Sequence, residues 1–73
     1  MSNRKYIIIT KDEVASVDFS QVLETSANTL RYNNAGTKTF VKFEGNTPSF
    51  LNGKTQYTHT EMLIELGKSD WTE

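Results

Sequence analysis

Cysteine is absent from this chain, and histidine, proline and tryptophan each occur once. Without cysteine there is no disulfide and no thiolate metal site to staple the fold. The lone His59 needs further nitrogen or oxygen ligands to hold a metal. Glu61, two positions on, is not one of the three- or four-apart partners that share a helix face. No second histidine and no lysine–serine pattern exists to activate Thr60, Ser69 or another hydroxyl as a nucleophile. The glycines Gly36, Gly45, Gly53 and Gly67 match no phosphate loop. Long hydrophobic runs are missing too. The apolar run from Tyr6 to Ile9, behind two basic residues, falls short of the about 7–15 residues of a secretory apolar region and the roughly 20 of a membrane span. A soluble protein acting in the compartment where it is made is expected, with no membrane partner.

Charge of one sign is also in short supply, the formal net charge being −1. It is unevenly spread: residues 1–57 hold seven Lys/Arg against five Asp/Glu, and residues 58–73 hold one against four. That asymmetry suits a contact between copies, although ordinary sampling of charges produces it as well. The acidic pairs Asp12-Glu13 and Glu61/Glu65 are read as solubilising, because a domain of this size has little room for the cleft that paired carboxylate chemistry requires. No repeat and no low-complexity tract is visible.

What the chain does have is enough apolar residues for one modest core. Its 73 residues make a single domain, 1–73, and a domain that small buries only about 60% of the surface its unfolded chain exposes. Such cores rarely supply more than about 3–5 kcal/mol unaided. Self-association is therefore the natural additional source of stability.

Residues 5–10, KYIIIT, read as a strand from their β-branched run. With isoleucine on both faces, this strand is expected to be covered on both sides, as a central strand or one at an oligomer interface. Residues 11–13 end it as a solvated turn. Residues 14–28 are ambiguous. Val17, Phe19 and Leu23 partly alternate as in a strand, while Asp18 with Gln21 has the spacing of a capping box. A helical turn over 18–23 or a short irregular strand is expected, leading into a loop at 24–28.

Residues 29–45, TLRYNNAGTKTFVKFEG, read as a β-hairpin turning at Asn33-Asn34-Ala35-Gly36. With Thr37 opposite Tyr32, one face carries Leu30, Tyr32, Val41 and Phe43 and the other Arg31, Lys38, Phe40 and Lys42. A bulge at Gly36 would instead bring Leu30 and Phe40 together and dissolve that sorting. In the first register the second face is basic with one aromatic, and it is the one surface that suggests a partner. Residues 45–56 form the longest connection: Pro48 bars a central strand, Asn52-Gly53 marks a turn, and Phe50-Leu51 are expected to tuck inward. Thr58-His59-Thr60-Glu61 is a capping box, with Tyr57 and Met62 at staple positions and Gly67 as the stop. A helix over 58–66 with a buried stripe of Met62, Leu63 and Leu66 is expected, Trp71 folding back on sheet or helix.

Several phrases, in this order and spacing, carry a resemblance: FSQVLETS at 19–26, TLR at 29–31, GTKTFVKFEG at 36–45, Pro48, Tyr57-Thr58-His59 with Glu61, and Trp71-Thr72. Together they resemble short uncharacterised proteins of large tailed bacteriophages, particularly marine ones infecting cyanobacteria. The resemblance implies a phage origin and expression in a bacterial cytoplasm, and it brings no catalytic residues.

The expected fold is α+β: a small antiparallel sheet of three or four strands with the C-terminal helix packed on one face. The second face, left uncovered by a single helix, is expected to meet another chain. The expected function is a non-enzymatic interaction module without cofactors or metals. It is expected to be a homo-oligomer, or to dock on a host or phage protein, through Arg31, Lys38, Phe40, Lys42, Tyr6 and Ile8. The alternative is a nucleic-acid binder, in which Arg31, Lys38 and Lys42 sit on phosphates while Phe40 or Tyr32 stacks a base. Against it, nucleic-acid domains usually carry a marked basic excess.

Overall fold

The computed structural model describes residues 3–71. Met1, Ser2, Thr72 and Glu73, which belong to the first and last segments of the sequence reading, lie outside them. Two strands, β1 (Arg4–Thr10) and β2 (Lys38–Glu44), pair antiparallel with Ile7 opposite Val41 and Tyr6 opposite Lys42. One helix, α1 (His59–Leu66), follows near the C-terminus. Between them the chain forms 3-10 turns at Lys11–Ser16, Ala27–Thr29 and Ser49–Leu51.

Strand alternation sorts the core into two clusters. On one face Ile7, Ile9, Val41 and Phe43 pack with Leu30 and Leu51, and the partly buried Val14, Val17, Phe19, Val22 and Phe50 close over them. On the other, Tyr6 and Phe40 pack against Met62 and Leu66, with Ile8, Tyr57, Leu63 and Trp71 at the margin. The sheet is therefore covered on both faces within one chain, which corrects the expected open face. The helix lies over the Tyr6/Phe40 side. The opposite side is covered by the segment 14–22, which has no α-helix or strand, and by the 3-10 turn carrying Leu51.

The sheet has two strands rather than the expected three or four. On each outer edge a single bridge stands in place of a further strand: Tyr57 opposite Tyr6, and Tyr32 opposite Thr39. The reason is local on both sides. Thr58, directly after Tyr57, is the N-cap of α1, and Asn33, directly after Tyr32, begins the turn. Asn33 Oδ1 accepts from the Thr37 and Lys38 N–H groups at 3.0 and 3.2 Å, and its own N–H donates to the Lys38 carbonyl at 2.9 Å. The main partner of β2 is thus β1, not residues 29–32. Tyr32 lies opposite Thr39 instead of Thr37, a slip of two positions. Because the side-chain period is two, Leu30, Tyr32, Val41 and Phe43 still share a face.

The first turn after β1 is more ordered than a solvated turn. Thr10 and Glu13 form a reciprocal capping box over Lys11–Ser16, and Glu13 Oε2 pairs with Lys54 Nζ at 2.9 Å. The Asp18–Gln21 capping spacing closes a different structure, a side-chain-stabilised turn. There the Asp18 carboxylate accepts from the Ser20 N–H, the Ser20 hydroxyl and the Gln21 amide, and no helix forms. The predicted helix is present: Thr58 and Glu61 exchange side-chain-to-backbone bonds. Gly67, at φ 70°, ends it, with Lys68 N–H donating to Leu63 O and Gly67 N–H to Ile64 O, the Schellman closure.

A core this small makes graded substitutions informative. Ile7→Val, at a fully buried position, is expected to lower stability by about 1 kcal/mol in urea titrations, and Ile7→Ala by about 2–5 kcal/mol, enough to leave the chain largely unfolded. Ile64→Thr, on the exposed side of α1, is expected to stay within about 0.5 kcal/mol at dilute, monomeric concentration.

Candidate functional site

The outer edge of β2 is where the chain's surface chemistry gathers. A strand edge presents unpaired backbone groups, and here Lys42 turns its N–H and C=O outward, because Tyr6 opposite it bonds outward to Tyr57. The segment at 23–24 satisfies both groups. Leu23 N–H donates to the Lys42 carbonyl at 2.9 Å, and the Glu24 carboxylate accepts from the Lys42 N–H at 3.2 and 3.3 Å. Glu24 thus supplies with a side chain what a neighbouring strand would supply with a carbonyl. It is 6% exposed.

Beside this edge lies an open cleft of about 190 Å³, lined by Leu23, Glu24, Thr25, Thr29, Arg31 and Lys42 together with Tyr6 and Phe40. Four of the six residues singled out by sequence therefore meet here: Arg31, Lys42, Tyr6 and Phe40. Their roles divide. Tyr6 and Phe40 are 1% and 7% exposed, their rings edge-to-face with centroids 5.6 Å apart, and Trp71 covers Phe40 at 5.6 Å. They are core residues that the sequence reading had placed on an interaction surface. Arg31 and Lys42 supply the polar walls, and neither makes an ion pair among the described residues.

Lys38 and Ile8 lie elsewhere. They border a second groove of about 200 Å³ with Tyr57 and Glu65, toward the Thr10 end of β1. The basic face of the hairpin is thus split into two places. Sequence reasoning missed Leu23, Glu24 and Thr25, because nothing in the pattern LET tells that this loop folds back along a strand edge 18 positions away. No cluster of three or more His, Cys, Asp or Glu among the described residues is arranged to hold a metal. No helix among them is long and apolar enough to cross a membrane.

Three carboxylates are shifted from their ordinary values, in opposite senses. Burial pushes the Glu24 carboxyl above its ordinary value, against its backbone hydrogen bonds and the nearby Lys42 charge. Glu13 is held below its ordinary value by the Thr10 N–H and then by Lys54, and Asp18 by Ser20 and Gln21. A group raised on folding contributes stability at low pH that is lost as pH rises through its folded value. Glu13 and Asp18 contribute stability at higher pH that is lost on acidification.

Glu24→Gln keeps an acceptor for the Lys42 N–H and removes the buried charge. The variant is expected to exceed the wild type in stability at pH 7. The gap should narrow as pH falls from the raised Glu24 value through the ordinary carboxylate range, because Glu13 and Asp18 cancel in the difference. Urea titrations of both proteins at a series of pH values check this; a gap that widens on acidification would contradict it.

No family model, curated protein or solved structure matches this chain.

Proposed function

We propose that this protein is a small non-enzymatic interaction module that self-associates, an accessory or host-directed protein of bacteriophage origin acting in the bacterial cytoplasm. The observation that carries the self-association is the placement of the exposed large apolar side chains. Among the described residues these are Leu23, 42% exposed, and Ile64, 71% exposed. Leu23 stands in the cleft beside β2 and Ile64 on the outward side of α1. Single exposed apolar residues are ordinary on protein surfaces. Leu23, however, sits in a concave site bordered by Arg31 and Lys42, an apolar centre with a polar rim, which is the arrangement of a contact.

The nucleic-acid alternative draws support from Arg31 and Lys42 sharing one cleft. Its stacking partner is the weak part: Phe40 is packed beneath the helix and Trp71, and stacking on bases needs an open ring face.

Sedimentation over a wide concentration range is expected to show a mass rising above that of the 8.3 kDa monomer; a monomer at millimolar concentration would overturn the proposal. A labelled single-stranded oligonucleotide at low salt is expected to show no binding. Binding with a log–log salt slope of about −1.4, two phosphates at roughly 0.7 each, would transfer the assignment to nucleic acid.

A further inference from the structure

The two exposed large apolar side chains among the described residues, Leu23 and Ile64, sit in surroundings of different charge. Leu23 shares its cleft with Arg31, which has no ion-pair partner among the described residues, and with Lys42, whose charge lies near the Glu24 carboxylate. The one carboxylate there, Glu24, is buried and turned to the Lys42 N–H. Ile64 lies in the last turn of α1, with Glu61, which also accepts from the Thr58 N–H, three positions before it and Glu65, which borders a groove with Lys38, next to it. A helix C-terminus also carries partial negative charge. Lys68, the nearest cation in sequence, is engaged elsewhere: its Nζ bonds Asn34 Oδ1 at 3.0 Å and lies 5.4 Å from the Trp71 ring centroid.

We propose that Ile64 of one copy seats in the Leu23 cleft of a second copy, with Glu61 and Glu65 set against Arg31 and Lys42. This rests on the self-association proposed above and names the two surfaces that meet. A cleft of about 190 Å³ has room for the four-carbon isoleucine side chain. The alternatives pair like with like. An Ile64–Ile64 contact sets the Glu61 and Glu65 carboxylates against their own copies, and a Leu23–Leu23 contact does the same for Arg31 and Lys42. Like charges at an interface exclude a partner as effectively as opposite charges select one. The contact is therefore heterologous: each copy offers one knob and one cleft, so assembly either closes as a ring or runs on.

Complementation tests this. Ile64→Asp removes the knob and keeps the cleft; Leu23→Asp with Arg31→Glu removes the cleft and keeps the knob. All three positions are exposed, and circular dichroism checks that each variant folds. Each variant alone is expected to stay monomeric where the wild type associates, and an equimolar mixture to form a one-to-one complex. Wild-type association is expected to weaken about tenfold as salt rises from low to several hundred millimolar, through screening of the paired charges. A mixture that stays monomeric while the wild type associates overturns the heterologous contact, as does a variant that associates like the wild type or association indifferent to salt. A wild type that never associates overturns instead the self-association on which this rests. Should the cleft variant fail to fold, Arg31→Gln with Lys42→Gln takes its place in the mixture.

Discussion

The pairing of β1 with β2 is the constraint on which the other contacts depend. Seven residues pair with seven, and side-chain alternation commits Ile7, Ile9, Val41 and Phe43 to one side and Tyr6, Ile8 and Phe40 to the other. A sheet that is apolar on both faces needs two covers. With one helix available, the second cover has to come from chain without regular structure. The segment from Val14 to Val22 supplies it, held in shape by local side-chain bonds such as those of Asp18. Those bonds are exposed and individually weak, so the segment owes its position mainly to the apolar side chains it lays on the sheet.

What the sequence made legible follows the range of the interaction. The helix was readable to its caps, because Thr58, Glu61 and Gly67 act within one turn of the backbone they satisfy. The β1 strand was readable from its isoleucines. The Leu30/Val41/Phe43 face was also readable, although the pairing behind it was not, since a two-residue slip leaves facing unchanged. The pairing of β2 with β1 joins residues 28 to 40 positions apart and has no local mark. Of the candidate site, Arg31 and Lys42 were legible as cations on one face. Phe40 was misjudged as surface because alternation tells which side a residue takes, not what covers that side. The Thr10–Glu13 box has the same spacing as Thr58–Glu61, but it closes a 3-10 turn where a solvated turn is expected.

Charge and apolar exposure coincide on this molecule in a way that composition hides. A net charge of −1 describes a nearly neutral chain, but it averages a cationic strand edge and an anionic helix that the fold sets apart. Lys38 belongs with the cations in sequence and is separated from them by the fold, bordering a groove that also contains Glu65. Recognition by such a surface depends on local sign rather than total charge.

The carboxylate of Glu24 has a role that reaches beyond the monomer. An open strand edge is a template on which further strands add, and proteins commonly shield such edges with charge or cover. Glu24 does both at Lys42, occupying the amide and placing a charge beside it. Residue 24 thus acts as a gatekeeper. An apolar side chain there would leave the β2 amide free next to exposed Leu23, and disordered aggregation through that edge would compete with the soluble state.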